Sequence, residues 1–448
     1  MFVNRKNEIK LFKEKLKERN GNLLILYGRR RIGKSELLKE IISDKDVYFL
    51  ADLREKILQI DSLRIQLSEK IPAFADVTLS GWDALFSTLS EIANKKITLV
   101  LDEFPYLVKN APELPSIIQK HIDLKKLKNV NLVLCGSSQS MMTNLFESAK
   151  SPLYGRANLI MKLEYIPAYY LKEYLKISSE KAIEEYAVWG GVPRYWEERA
   201  KYPSLDKALA NLILNPFGLF YEEPIILFLD EMRTSMQSNS ILTLVGAGAN
   251  KISEIAGRLE KPVTHLSKPL QTLLELGYLK KEIPFGENEK KSKKSLYKIR
   301  DPFLRFYFTF VVPNRSLIEM KASSVAMKRV KENWNGFVSA EYENLCREAV
   351  PSLFKKRGLF LPAKRYWNRN AEIDIISKDV NSGVYIVGEV KWRDRINLKS
   401  VLSELDDKIN RVDFLKDKKI IKVIFGKKET ERNNVKYFSA ADVIQSFK

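Results

Sequence analysis

Cysteine and histidine are almost missing from this 448-residue chain. Cys135 and Cys346 stand far apart, and His121 and His265 are its two imidazoles, so neither a disulfide framework nor a His/Cys zinc site is available. Proline is scarce too, at 17 residues, which argues against long disordered linkers. No apolar run approaches the ~18 residues that a membrane span needs. The opening Met1-Phe2-Val3-Asn4-Arg5 does not begin a signal peptide. These absences lead us to expect a soluble, cytoplasmic protein with no membrane partner. Positive charge, by contrast, is in surplus. With 76 Lys and Arg against 56 Asp and Glu, the net charge is +20, which attracts polyanions, nucleic acid before acidic membrane. A lysine-rich surface that merely stays solvated gives the same total, so the motifs must decide. The length suggests about three domains, and 45% hydrophobic residues suffice for packed cores.

The most informative stretch is Leu23-Leu24-Ile25-Leu26-Tyr27 running into Gly28-Arg29-Arg30-Arg31-Ile32-Gly33-Lys34-Ser35. A hydrophobic strand, a G-x-x-x-x-G-K-S turn and a helix-like Glu36–Ile42 form a P-loop in the context it requires. Gly28 and Gly33 allow close backbone approach to phosphate oxygens, and the helix start supplies N–H donors and positive dipole. Lys34 is expected to meet the β- and γ-phosphates of ATP, and Ser35 to complete a Mg²⁺ shell. Arg29, Arg30 and Arg31 contact phosphate or acidic partner groups, or are simply solvated. Val47-Tyr48-Phe49-Leu50 is the expected second strand. Ile97-Thr98-Leu99-Val100-Leu101 then leads into Asp102-Glu103, a Walker B pattern: Asp102 for Mg²⁺, Glu103 for the attacking water.

Asn131–Cys135 reads as the next buried strand, followed by Gly136-Ser137-Ser138 where ligands sit in a doubly wound sheet. Ser137 or Ser138 then senses the γ-phosphate or forms a plain turn. Arg156, in Leu153-Tyr154-Gly155-Arg156, stabilises transition-state charge in cis or across a subunit interface, or forms a surface salt bridge. The interface reading makes a homo-oligomer one expected state.

Phe2-Val3-Asn4-Arg5-Lys6-Asn7-Glu8-Ile9, Gly28–Ser35, Asp102-Glu103, Gly136-Ser137-Ser138 and Leu153–Arg156, in that order, resemble the archaeal-type P-loop ATPases of the AAA-plus and STAND-like group. Tyr165-Ile166-Pro167 then resembles the opening of that family's helical lid, and Trp189-Gly190-Gly191-Val192-Pro193 its Gly-Gly-x-Pro turn.

Residues 241–299 read as a winged helix: apolar Ile241–Val245, a second helix from Lys251 to Ala256, and a third with Leu266, Leu270, Leu273, Leu274 and Leu276 inward. Lys280–Ile283 and Leu296–Ile299 flank a loop carrying Lys290, Lys291, Lys293 and Lys294. Helix-turn-helix units lay the third helix in the DNA major groove with loops on phosphates. Other winged helices dock proteins or act as spacers.

The second constellation is Asp374 in Glu372-Ile373-Asp374, and Glu389 and Lys391 in Gly388-Glu389-Val390-Lys391. Positions two apart on a strand share a face, so Glu389 and Lys391 project together. Asp374 on a neighbouring strand completes a hard-oxygen site for Mg²⁺ or Mn²⁺, and Lys391 positions a water or stabilises phosphorane charge. This pattern resembles the PD-(D/E)xK nuclease superfamily, in which Glu343 matches the acidic residue of the first helix. Asp374 lacks the preceding proline. A sheet edge with alternating salt bridges is the plain alternative.

The expected fold is α/β: a P-loop ATPase core (1–160), a helical lid (161–235), a winged helix (236–312) and a C-terminal α/β restriction-endonuclease-like domain (313–448). The expected function is ATP binding and hydrolysis controlling DNA engagement or metal-dependent cleavage. The rivals are an ATP-dependent regulatory switch whose nuclease-like domain only binds, and a defence effector released by a partner.

Overall fold

A computed structural model describes residues 4–231, 235–289, 292–430 and 435–448. The chain divides into two compact units. The first is Met1–Tyr165 with Val192–Arg194 and Ile226–Arg233, and the second holds the remainder. Among the described residues, no helix is long and apolar enough to cross a membrane.

The first unit is built on five parallel strands: β1 (Leu23–Tyr27), β2 (Val47–Leu50), β3 (Ile97–Asp102), β4 (Val130–Gly136) and β5 (Leu159–Lys162). Their order is β2-β3-β4-β1-β5, all parallel. Every residue of β1, β3 and β4 is buried, as a sheet covered on both faces requires. This explains why these strands read as unbroken apolar runs rather than alternating ones. Helices Lys56–Lys70 and Trp82–Ile92 bring Leu63, Leu67, Leu85 and Leu89 onto the same core as Leu99, Leu101, Leu132 and Leu134. Each such side chain gains roughly 1.5–3 kcal/mol on burial, enough to offset the ~1–2 kcal/mol per residue lost in ordering the backbone. Because the strands are parallel, their C-terminal ends gather at one edge. There β1 enters the Gly28–Lys34 turn and β3 ends at Asp102.

In the second unit, helices Ala168–Leu175 and Ser179–Trp189 precede a module of three helices, Ser235–Gly246, Ile252–Arg258 and Val263–Glu275. An antiparallel hairpin of β6 (Leu279–Glu282) and β7 (Leu296–Ile299) follows. The long helix Trp334–Phe354 leads to a second five-stranded sheet: β8 (Lys364–Trp367), β9 (Glu372–Lys378), β10 (Tyr385–Lys391), β11 (Ile420–Gly426) and β12 (Tyr437–Phe438). Its order is β12-β11-β10-β9-β8, with β8, β9 and β10 antiparallel and β10, β11 and β12 parallel. Ile373, Val387, Leu405, Ile409 and Val412 form its core under helix Leu398–Asn410. The hairpin loop joins this core. Phe285 stacks on Phe414 at 5.9 Å, and its N–H donates to the Arg365 carbonyl at 2.9 Å.

Candidate functional site

The Gly28–Ser35 turn has the backbone shape its sequence implies. Gly28 sits at φ 153°, where a Cβ would meet the Leu163 carbonyl oxygen at 2.8 Å, so no other residue fits. Gly33, at φ 94°, caps helix Lys34–Ile41 in the left-handed region that L side chains avoid. Arg31 accepts φ 68° between them, a strained conformation of the kind that clusters at ligand loops. Lys34 is buried, and its ammonium donates to the carbonyls of Gly28 at 2.9 Å and Arg29 at 3.1 Å. The Arg29 guanidinium lies 5.8 Å from the Tyr165 ring centroid, and Ile32 is buried beneath the loop.

Asp102, also buried, accepts from the Ser35 hydroxyl at 2.8 Å, from the Tyr48 hydroxyl, and from the Glu103 N–H at 2.9 Å. Three neutral donors thus stabilise a carboxylate that would otherwise be costly to desolvate. Burial and the Asp102 charge hold the Tyr48 phenol above its ordinary range, so it stays a donor. Glu103 adopts φ 52°, and its carboxylate accepts from Ser137 Oγ at 2.9 Å and the Ser137 N–H at 3.2 Å. Tyr48 and Ser137 were not singled out as partners of the acidic pair. Register explains both, since β2 and β4 flank β3 and end at the same edge.

Loop, lysine, serine and acidic pair stand together and offer the donors and acceptors that a Mg²⁺–triphosphate requires. Arg156 does not join them. It lies before β5, level with the start of β1, and pairs with Asp123 at 2.8 and 2.9 Å. The P-loop begins at the other end of β1, roughly 15 Å away at ~3.3 Å per residue. Of the readings open for Arg156, the salt bridge is the one seen within its own chain.

The C-terminal constellation also converges, in a different electrostatic state. Asp374 accepts from the Val390 N–H at 3.0 Å. Glu389, buried, accepts from Lys391 at 2.7 Å and from Lys408 of helix Leu398–Asn410 at 2.8 Å. Glu343 pairs with Arg347 at 2.9 Å, and Arg347 also donates to the Asp374 carbonyl at 3.0 Å. Burial, then the Asp374 charge, pushes both Glu343 and Glu389 up. Burial works against the Lys391 charge, yet the Glu389 carboxylate holds this ammonium above its ordinary range.

Glu343 and Glu389 therefore meet three cations between them, while the Asp374 carboxylate accepts a backbone N–H. Among the described residues, no three acidic, imidazole or thiol groups gather as a metal cage. Of the expected ligands Glu343, Asp374 and Glu389, the first and last are held in ion pairs, with Lys391 on Glu389. Lys408 was missed, although it lies beside the buried Leu405 and Ile409 on its helix. Lys290 and Lys291 lie outside the described residues, as do Phe2 and Val3.

Residues 2–198 match an ATPase domain predominantly from Archaea. Residues 307–405 match a family described as archaeal and bacterial proteins of unknown function. The solved Walker-type ATPase of Pyrococcus abyssi superposes with a TM-score of 0.53 at 19% identity, covering 68% of this chain and 96% of that one. Parallel sheet, loop and matched domain together define a P-loop ATPase. An uncharacterized protein of Methanocaldococcus jannaschii is 32% identical over 403 residues, 88% of either chain. The chain belongs to the same family as that protein. An uncharacterized ATP-binding protein of the same organism shares 49% identity over 47 residues, 10% of this chain and 80% of its own length.

Proposed function

We propose that this ATPase couples ATP binding and hydrolysis to engagement of DNA. Lys34 would exchange the Gly28 and Arg29 carbonyls for the β- and γ-phosphates. Ser35 and Asp102 would hold Mg²⁺, and Glu103, tethered by Ser137, would orient the attacking water. Bound Mg²⁺ supplies charge neutralisation at the phosphate oxygens. The partners that Lys34 and Asp102 now hold are neutral hydrogen-bonding groups, so this exchange breaks no ion pair.

The DNA half of the reading is carried by helix Val263–Glu275. Leu266, Leu270 and Leu273 are buried, while Thr264, His265, Lys268 and Gln271 form an exposed polar face of groove-reading residue types. With the β6–β7 hairpin after it, the module reads as a winged helix. We assign 1–160 to the ATPase core, 161–235 to a helical lid, 236–312 to the winged helix and 313–448 to a nuclease-like domain. The net charge of +20 supports the same partner.

A second reading, metal-dependent cleavage, is favoured by the adjacency of Asp374 and Glu389 and is opposed by the two ion pairs of Glu389. Duplex binding measured across a salt series tests the first reading. Affinity falling with a log–log slope of roughly −0.9 per phosphate contact supports it, and no binding at low salt overturns it. A cleavage assay with Mg²⁺ or Mn²⁺, with and without ATP, tests the second.

A further inference from the structure

Beyond the helix face assigned to duplex DNA, the second unit contains a cleft of about 810 Å³ with an unusual lining. One wall is the hairpin and its module: Lys251, Lys281, Lys293, Lys294 and Tyr297. The other is the β8–β9 turn, with Trp367, Asn368, Arg369 and Asn370. Among the described residues, five cations border this volume and no lining side chain is acidic, with Lys294 paired to Glu287 outside the lining. In a chain with 56 carboxylates, this is a local electrostatic decision rather than a reflection of composition. Lys251, Lys293, Lys294 and Arg369 are exposed, whereas Tyr297 and Trp367 are half-buried. Cations at the rim with aromatic rings in the wall are the two components of single-strand recognition: backbone phosphates on the first, base faces on the second.

The support of Trp367 is also specific. Arg365 lies 5.4 Å from the Trp367 ring centroid and is anchored by Glu372, its 3.0 Å hydrogen-bond partner, across the β8–β9 pair. Glu372 stands directly opposite Trp367 in register. Residues directly opposite share a face, as do residues two apart along a strand. Trp367, Glu372 and Asp374 therefore share one face of the sheet. A strand lying on Trp367 is one strand-repeat, roughly 7 Å, from the row that contains Asp374. Asn368 is held by its own turn, its side-chain oxygen accepting from the N–H groups of Asn370 and Ala371 at 2.7 Å each. The wall is thus a fixed platform.

We propose that this cleft binds an unpaired stretch of DNA, with Trp367 and Tyr297 stacking on bases and Lys281, Lys293 and Arg369 meeting phosphates. The proposal deepens the DNA reading and rests on it. It divides the labour between duplex on helix Val263–Glu275 and an unpaired strand in the cleft.

Fluorescence anisotropy at low salt with a 20-nucleotide oligothymidylate and a blunt 20-base-pair duplex tests it on the full-length protein. Trp367→Ala should weaken oligothymidylate binding by roughly 5- to 150-fold, the range that loss of one stacking platform spans. Trp367→Phe should retain most of it, and duplex affinity should stay within about twofold. Arg369→Ala, on an exposed turn, should lower single-strand affinity by a smaller factor and flatten its salt slope by roughly one. It therefore reads the site even if Trp367→Ala unfolds. Lys268→Ala should show the opposite pattern, weakening duplex alone. Oligothymidylate binding unchanged in both Trp367→Ala and Arg369→Ala overturns the proposal. Wild-type binding of duplex but not of oligothymidylate overturns it while sparing the DNA reading. Binding of neither overturns both.

Discussion

The two constellations of this molecule use the same side chains in opposite states. Around the P-loop, Lys34 and Asp102 are both buried, yet each is satisfied by neutral groups: backbone carbonyls for the ammonium, hydroxyls and an N–H for the carboxylate. Around β9 and β10, Glu389 is held by two ammonium groups and Glu343 by a guanidinium. A neutral hydrogen bond nets about 0.5–1.5 kcal/mol and exchanges readily for a ligand contact. Breaking a buried ion pair by removing one partner costs about 3–5 kcal/mol. One site is therefore poised for a charged ligand, while the other already has its charge balanced. Closely similar sequence signals, acidic residues at strand ends with a lysine nearby, do not distinguish these states.

The comparison is tested most strongly at Glu103. Glu103→Gln should keep ATP binding and lower kcat by roughly 10²- to 10⁴-fold, the usual range for a positioned base, in a phosphate-release assay. Full turnover in that variant would place the base elsewhere. Next is Lys34→Ala, which should weaken ATP binding by about 100-fold or more, from about 3 kcal/mol of charge-assisted hydrogen bonding. Calorimetry showing equal binding would remove the P-loop assignment.

On the balanced side, Lys391→Met with Lys408→Met should leave Glu389 without its cations and lower stability by about 3–5 kcal/mol. It should also create divalent-cation affinity, seen as a Tm that rises with Mn²⁺ more than in the wild type. Equal Mn²⁺ stabilisation of both proteins would mean that the wild-type cluster accepts a cation as it is.

Much of this was legible before the structure. β1, β3 and β4 stood out because burial on both faces leaves nearly unbroken apolar runs, and β2 stood out as a short apolar run although Leu50 is exposed. β5 did not: in Leu159-Ile160-Met161-Lys162 none of the four residues is fully buried, so the strand carries no clear pattern. β8 was missed for a similar reason, as Lys364-Arg365-Tyr366-Trp367 is polar and aromatic, with a register shift in its pairing with β9. Glu103 and Asp102 were legible from their position at a strand end. Their partners Ser137 and Tyr48 were not, because strand order is not written in local sequence. The same limit hid Lys408, whose charge reaches the cluster from another helix, whereas Arg347 stands four residues after Glu343 on one helix and was open to a local reading. For Arg156 the choice between its readings was likewise illegible, because proximity in sequence to the ATPase motifs says nothing about which end of the sheet a residue occupies.

The smallest expected effect concerns the hairpin. Burial pulls the Lys280 ammonium down to about 8, and it donates to Asn344 Oδ1 at 2.7 Å. The unfolded chain therefore binds this proton more tightly, and the contribution of Lys280 to stability rises as pH climbs from about 8 towards 10.5. Lys280→Met should lack that rise, a difference of up to about 3 kcal/mol in urea unfolding at pH 7 and pH 10. Parallel pH profiles for variant and wild type would place Lys280 in solvent-like surroundings.

Nucleotide control of DNA engagement is tested most directly by duplex affinity in Mg²⁺ and saturating ATP. The comparison is between Glu103→Gln, which should hold ATP, and Lys34→Ala, which should not. We expect the two affinities to differ by at least about tenfold, with wild type between them during turnover. Identical affinities, with DNA bound equally well whether or not the P-loop is filled, would contradict it.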